Sequence, residues 1–564
     1  MKSTTRFSPS PSEVLLWAAL LYIGAYHEYV ACLFSVALFG VLLWKAKKNG
    51  GIKWRFDPVS IPVFVLVVFL FFTPFWAVDA GTAFVGALKF LPLLLYECLL
   101  WQENRRTEIL DRLPWAAGVL VILSLILMWI PPVASFFTVR GRMAGIFQYP
   151  NAFAAFLLLA QVLLVTRGKF NWQKALLLAV LVGGMVYTGS RATFVLALFI
   201  HFLVFLTGPG KKRKWIAVLS LAAVVTGLFL YARFSGAENA VTRLFSLSFM
   251  ESSLLGRILY VFDALPQILR RPFGMGYLGW NYIQHAIQTG VYTVRFVHSD
   301  PVQILLDVGW IPFGLFIWTV VVFFRSRKVA RGEKLAALAL LLHASFDFDL
   351  QFLSLCFVLL VLMPPREGKT KMILKKLSPR RALAGALALG CLYMGTALFF
   401  ARFHQAPFAQ ELYPWYTPNE EYYLSRQTDV RRAGEIADHI LERNANCKIA
   451  YSAKVRAAYA EGKLGEVIRI KNKLFEVAPF SYEEYEEYAR LLLQGVSLYQ
   501  RQGDAESVDY CRKELFAIPD RLARLKDRQS ALGKLIQDQP VTTLPEEILA
   551  QIEVQRRLAG NEPG

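Results

Sequence analysis

Charge is what this chain has little of. Only 18% of its 564 residues are charged and 55% are hydrophobic, whereas a soluble domain carries about 25% charged and roughly 45–50% apolar residues. That balance excludes an ordinary water-soluble protein. Cysteine is also sparse, at six residues. Cys32, Cys98, Cys356 and Cys391 lie in or beside apolar runs, where the thiol acts as a small hydrophobe. Only Cys447 and Cys511 fall in polar sequence, and nothing in the spacing supports a disulfide between them. No metal-ligand spacing is present, so no metal and no cofactor is expected. A cleavable signal peptide is not evident either, and the first apolar run reads as a retained signal-anchor helix.

What is there is apolar sequence in clustered runs, among them 61–72, 115–130, 152–165, 175–186, 215–231, 315–324 and 383–400. Several approach the roughly 20 residues that cross about 30 Å of hydrocarbon. The net charge of +20 first suggests nucleic acid, but the distribution is wrong for it. Basic residues collect in short clusters at 45–55, 105–112, 167–174, 211–214, 325–334 and 366–381, between apolar runs. Retention of Lys and Arg in cytoplasmic loops explains that pattern. With these six clusters inside, the chain crosses about thirteen times, starting inside and ending outside. The expected spans are 12–27, 29–44, 58–77, 82–101, 114–131, 151–166, 174–189, 192–208, 214–231, 303–324, 334–346, 351–364 and 382–402.

The expected fold class is therefore all-α, with a transmembrane helical bundle over 1–404 and one large outer loop at 232–302. A loop that long is usually functional or folded; its stretch 254–269 is amphipathic, and the pattern breaks at 270–276. After the last apolar run, residues 405–564 turn rich in Glu, Lys, Arg, Ala and Leu at helical spacing. Within them Gly462, Val467, Leu474, Phe475 and Val477 recur 41 residues later as Gly503, Val508, Leu515, Phe516 and Ile518. This suggests an extracytoplasmic, tetratricopeptide-like array of helix pairs; an irregular helical bundle is the alternative.

The outer loops of the membrane part hold Arg140, Arg142, Arg191, Arg233, Arg243, Arg257, Arg270, Arg271 and Arg295, and no lysine. Cations on that side run against the topological bias. Guanidinium grips phosphate through paired, directional hydrogen bonds, whereas ammonium acts as a point charge. An arginine-only surface therefore points to a phosphate- or carboxylate-bearing substrate. For any one arginine, pairing with Glu238, Glu251, Asp263, Asp300 or Asp307, or with lipid headgroups, serves as well. Arg142 lies in a Gly-Arg-Met-Ala-Gly-Ile-Phe-Gln-Tyr-Pro-Asn stretch ending at Asn151, Arg191 closes Thr-Gly-Ser-Arg, and Arg257 follows Gly256. His298 stands at the point of membrane re-entry, where an imidazole kept neutral by nearby cations serves as a general base.

The order of Gly-Arg and Tyr-Pro-Asn at 141–151, Thr-Gly-Ser-Arg at 188–191, Gly-Arg at 256–257, His-Ser with Gly309 at 298–309, and Leu-His-Ala-Ser-Phe-Asp-Phe-Asp at 342–349 resembles the O-antigen ligase and polymerase superfamily, over about residues 10–400. The resemblance implies a GT-C-like membrane fold. It also implies transfer of a glycan from an undecaprenyl-diphosphate carrier to an acceptor hydroxyl on a lipid, glycan or protein, outside the cytoplasmic membrane. Arg191 and Arg257 would then bind the diphosphate and His298 would activate the acceptor. Arg142, Asn151, Arg140, Arg270, Arg271 and Arg295 would assist in substrate binding. His343, Asp347 and Asp349 would be packing or hydrogen-bonding groups rather than metal ligands. Pro312 departs from the ligase-type signature, where a second glycine is common. That leaves ligase, polymerase and protein oligosaccharyltransferase open. The 405–564 helices are an addition to the simplest members and would recruit the acceptor or a protein partner. A transporter of lipid-linked glycans is the reading from another class. It calls for ionisable residues near the bilayer midplane, where Lys89 is the main one. A non-catalytic scaffold would leave the arginine bias unexplained.

Overall fold

The computed structural model of the chain describes residues 9–207, 252–363, 369–374 and 379–560, with five isolated positions of the segment between 207 and 252. The expected span 214–231 falls largely outside the described residues, as do Arg233 and Arg243. Helices dominate the rest. They are α1 (Pro11–Leu21), α2 (Glu28–Asn49), α3 (Ser60–Phe72), α4 (Ala80–Glu103), α5 (Arg106–Leu127), α6 (Pro131–Phe137), α7 (Pro150–Thr166), α8 (Trp172–Thr188) and α9 (Arg191–Thr207). Next come α10 (Ser252–Arg270), α11 (Gly279–Ile287), α12 (Asp300–Val308), α13 (Trp310–Arg325), α14 (Arg331–Ala344), α15 (Leu353–Leu362) and α16 (Pro379–Arg402). The C-terminal part follows as α17 (Ala406–Leu412), α18 (Thr417–Arg426), α19 (Val430–Leu441), α20 (Lys448–Ala460), α21 (Leu464–Val477), α22 (Tyr482–Gln502), α23 (Ala505–Ala523) and α24 (Glu546–Gly560). Strands among the described residues form only two-stranded ribbons, β1 (Ile52–Phe56) with β4 (Lys369–Ile373) and β2 (Thr138–Val139) with β3 (Arg142–Met143).

Among the described residues α2, α4, α5 and α16 suffice by length and composition to cross a membrane, and seven shorter apolar helices accompany them. The expected outer-loop amphipath is α10. It buries Leu255, Leu259, Ala264 and Ile268 while Ile258, Phe262, Leu265 and Leu269 stay outward, the two stripes of a helix with a 3.6-residue period.

Ion pairs show which loops share an end of the bundle. At the C-terminus of α4, Glu103 pairs with Lys45 at 3.0 Å and accepts the Ser12 amide at 3.0 Å. Glu333 takes Arg106 at 2.5 Å and Arg167 as well, and Arg112 pairs with Glu13 at 2.8 Å. Strands β1 and β4 join the 45–55 and 366–381 loops in antiparallel register, Ile52 opposite Ile373. Five of the basic clusters thus meet at one end; the sixth, 211–214, lies outside the described residues. At the other end of α4, buried Asp79 caps the helix through the Thr82 amide at 2.8 Å. The same carboxylate accepts from the Thr417 hydroxyl and, at 3.1 Å, from Asn444. The C-terminal helices therefore dock opposite the basic end.

Within those helices, α20 turns into α21 at Gly462 and α22 into α23 at Gly503, with φ of +72° and +73°. Each turn closes the same way, the Lys463 amide reaching the Ala458 carbonyl and the Asp504 amide the Tyr499 carbonyl, both at 3.0 Å. Glycine supplies the left-handed residue that this helix ending requires. The positions related by the 41-residue shift, Val467, Leu474 and Val477 against Val508, Leu515 and Ile518, are all buried. Cys447 and Cys511 are buried, free and in different clusters, so they form no bridge.

Candidate active site

Three stretches far apart in sequence meet at Asp347, and a fourth joins them through Arg142. The first is the 138–151 loop. Arg140 and Gly141 both take positive φ, +51° and +73°, the backbone of a tight hairpin turn matched to the twist of its strands. The turn sets Val139 opposite Arg142 and leaves Arg140 exposed. Arg142 points inward, donating Nε to the Thr188 carbonyl at 2.7 Å and Nη2 to Asn151 Oδ1 at 2.8 Å. Pro150 opens α7, its fixed φ and missing N–H suiting a first helical turn, so Tyr149 and Asn151 flank the start of that helix.

The second stretch ends α8 on Gly189 at φ +58°, which lets Arg191 begin α9 immediately afterwards. A Cβ on Gly189 would lie 3.5 Å from Arg142 Nε, so the two arginine segments touch. Their guanidinium charges, with that of Arg257, act on one another. The third stretch is α10, which carries Arg257 near its N-terminus. The fourth is the re-entry turn before α12, where His298 itself adopts φ +53°. A non-glycine residue held there costs of order 1 kcal/mol or more and persists only when its surroundings demand it.

Asp347 is 1% exposed and has both oxygens fully engaged. Oδ1 accepts from Tyr149 OH at 2.8 Å, its neighbour's Phe348 amide at 3.0 Å and His298 Nδ1 at 3.2 Å. Oδ2 accepts from Asn151 Nδ2 at 2.9 Å and Arg257 Nη2 at 3.2 Å. Burial alone would raise this carboxyl. The His298 hydrogen bond and the Arg257 charge outweigh it and hold the group well below the usual carboxylate range. A staple fixes the two turns: the Asp300 amide donates to the Asp347 carbonyl at 3.2 Å, and Asp300 Oδ2 accepts the Leu350 amide at 2.8 Å. With Nδ1 held by a carboxylate, His298 has Nε2 left for chemistry.

Of the sequence candidates, Arg142, Asn151, Arg191, Arg257 and His298 come together here. The others are distributed. Arg295 pairs with Glu28 at 2.7 Å, in a network where Tyr277 OH donates to Glu28 at 2.7 Å and accepts from Lys89 Nζ at 2.9 Å. That network accounts for the isolated lysine in α4. Arg270 lines a separate cleft at the far end of α10, Arg271 begins the loop beyond it, and Arg140 faces outward. The seven arginines among the described residues thus do not form one surface. Two participants stood in the sequence motifs with no site role expected of them: Tyr149, and Asp347, whose place as a hydrogen-bonding group extends to holding His298 and Arg257. His343 and Asp349 form their own buried pair at 2.5 Å. Among the described residues no set of three or more His, Cys, Asp and Glu side chains converges as a metal ion needs.

The motif's Gly309 has a backbone reason. At φ +77° it breaks α12 from α13, and a Cβ there would meet the Pro272 carbonyl oxygen at 2.1 Å. The 272–276 loop runs alongside, with the Met275 amide on the Leu306 carbonyl at 2.6 Å and the Trp310 amide on the Pro272 carbonyl at 2.9 Å.

No curated protein and no solved structure matches the chain. The family model Wzy_C, described as O-Antigen ligase, matches residues 175–319. That stretch runs from α8 into α13 and includes Arg191, Arg257 and His298; Arg142, Tyr149 and Asp347 lie outside it. Residues 175–319, about a quarter of the chain, are thus similar to the O-antigen ligase family, and the apolar helices around them are those of an integral membrane protein.

Proposed function

We propose that the protein transfers a glycan from an undecaprenyl-diphosphate carrier to an acceptor hydroxyl on the outer face of the cytoplasmic membrane. The observation that carries this reading is the convergence on Asp347 of His298, Arg257, Tyr149 and Asn151, with Arg142 one hydrogen bond away. This end of the bundle is opposite the basic loops, and the tendency of basic loops to stay inside supports an outward-facing site.

In the reaction the acceptor oxygen attacks the anomeric carbon from the face opposite the diphosphate. A new C–O bond forms, the bond to the carrier diphosphate breaks, and the hydroxyl proton passes to His298 Nε2. Asp347, holding Nδ1–H, orients the ring and stabilises the imidazolium. Arg191 and Arg257 bind the diphosphate and balance the charge that builds on the departing oxygen; Arg142 assists. The guanidiniums supply that positive charge without a metal. Residues 1–404 form the transferase domain, with about thirteen crossings. The 405–564 helices form a tetratricopeptide-like domain on the same outer side, positioned to present an acceptor or partner.

Purified protein incubated with lipid-linked glycan and acceptor tests the assignment. His298→Ala, Arg191→Ala and Arg257→Ala are each expected to lower transfer by about a hundredfold or more with insertion unchanged. Full transfer by His298→Ala removes the base, and full transfer by Arg191→Lys removes bidentate phosphate binding there. A polymerase is the second reading, since Pro312 stands where a ligase-type glycine is common. Product that lengthens without added acceptor establishes it.

A further inference from the structure

Arg270 has a different setting from the arginines around Asp347. It lies thirteen residues beyond Arg257 on α10, roughly 20 Å along a helix rising about 1.5 Å per residue. There a cleft of about 580 Å³ opens between the outer loop and the C-terminal part. One wall is α10; another is the 286–289 turn; the third is the 528–532 segment. The wall from the C-terminal part is firmly seated. The Ser530 amide donates to the Thr289 carbonyl at 2.9 Å, the Ser530 and Thr289 hydroxyls meet at 2.9 Å, and a Cβ on Gly533 would strike the Thr289 carbonyl oxygen at 2.0 Å.

Two features of this cleft ask for a ligand. First, the exposed Arg270 and Arg528 both line it, from α10 and from the 528–532 segment, and neither has a carboxylate partner among the described residues; Arg528 makes one hydrogen bond, to the Ala286 carbonyl at 3.3 Å. The nearby carboxylate, Asp263, is already taken by Thr289 and Tyr292. Second, Gln267 lines the cleft at 8% exposure, yet its carboxamide has no hydrogen-bond partner among the described residues. The carboxamide is therefore available to an occupant that offers both donors and acceptors.

We propose that this cleft is a second saccharide subsite, which holds a carboxylate- or phosphate-bearing sugar of the glycan a few units from the reacting end. Arg270 and Arg528 grip the anionic group, Gln267 hydrogen-bonds the ring hydroxyls, and Phe262 at the rim packs against the sugar's apolar face. A phospholipid headgroup shares the anionic chemistry, and the nanodisc arms of the test separate the two sources. Four of the thirteen residues that line the cleft, moreover, come from the C-terminal part and the other nine from the outer loop. The proposal rests on glycan transfer as the activity, and the subsite joins the C-terminal helices to substrate recognition.

The test uses full-length protein in nanodiscs of neutral lipid, with oligogalacturonate and its methyl ester as probes and no lipid-linked donor, so it is independent of turnover. Oligogalacturonate is expected to bind and the neutral ester to bind at least about tenfold more weakly, the worth of one charge-assisted hydrogen bond. Arg270→Ala, Arg528→Ala and Gln267→Glu should each weaken oligogalacturonate binding by a similar factor, while Lys526→Ala leaves it unchanged. Equal binding of acid and ester, or variants that bind like the parent, overturns the subsite. So does loss of binding to anionic-lipid nanodiscs in Arg270→Ala without loss of saccharide binding, which would make the cleft a headgroup site.

Discussion

Asp347 and His298 illustrate how a buried charge is tolerated when every lone pair has a donor. Removing one partner from such a set leaves the others unsatisfied, which is more damaging than the net worth of any single bond. Asp347→Asn presents an amide nitrogen where one of the oxygens accepted and removes the charge that steadies the imidazolium. It is expected to lower transfer by about a hundredfold or more and to lower the thermal midpoint. Transfer within a few-fold of the parent would show that Asp347 only packs. The pH dependence has a definite sign. Asp347's carboxyl lies below its ordinary value of 3.8, so the stability it contributes is present above that pH and is lost as the pH falls through the folded value. Much of this site was legible in sequence. Arg142, Asn151, Arg191, Arg257 and His298 sit in short motifs whose glycines and prolines announce special backbone. Asp347 was seen but not its role, because the groups that converge on it lie as far as 198 residues away. Tyr149 was hidden inside the Tyr-Pro-Asn step.

At the scale of elements, periodicity and run length located most helices, since apolar stretches and proline starts are local signals. The β1–β4 ribbon was not legible. Its strands sit in two basic loops far apart in sequence, Ile52 opposite Ile373, and nothing in a five-residue strand names its partner. The amphipathic outer helix was anticipated at 254–269 and extends to Arg270. What sequence could not show is that its two ends serve different places, Arg257 at Asp347 and Arg270 at the second cleft. The Gly309 break belongs here too. Gly309→Ala puts a methyl group against the Pro272 carbonyl at 2.1 Å and forces alanine into φ +77°. It is expected to destabilise by about 3 kcal/mol or more, seen as a lower melting temperature in detergent and reduced transfer. An unchanged melt would mean that the 272–276 loop is free to move aside.

On the scale of the whole molecule, the C-terminal helices and the membrane bundle meet at Asp79. One carboxylate caps α4 and accepts from Thr417 and Asn444, so Asp79→Ala removes a helix cap and a junction together. It is expected to cost about 2–4 kcal/mol and to expose the 405–560 helices to limited proteolysis while the bundle stays protected. Equal protection in parent and variant would show that the junction does not depend on Asp79. Composition announced the change from bundle to polar helices near residue 405, but docking is a long-range fact that no local pattern encodes. The central claim, that guanidiniums and an oriented imidazole gather around a carrier diphosphate, is tested most directly by a density map of the protein with undecaprenyl-diphosphate glycan bound. The diphosphate is expected within hydrogen-bonding distance of Arg191 and Arg257, with His298 Nε2 facing the anomeric carbon's open side. A diphosphate seated elsewhere, with those side chains turned away from it, would contradict the account.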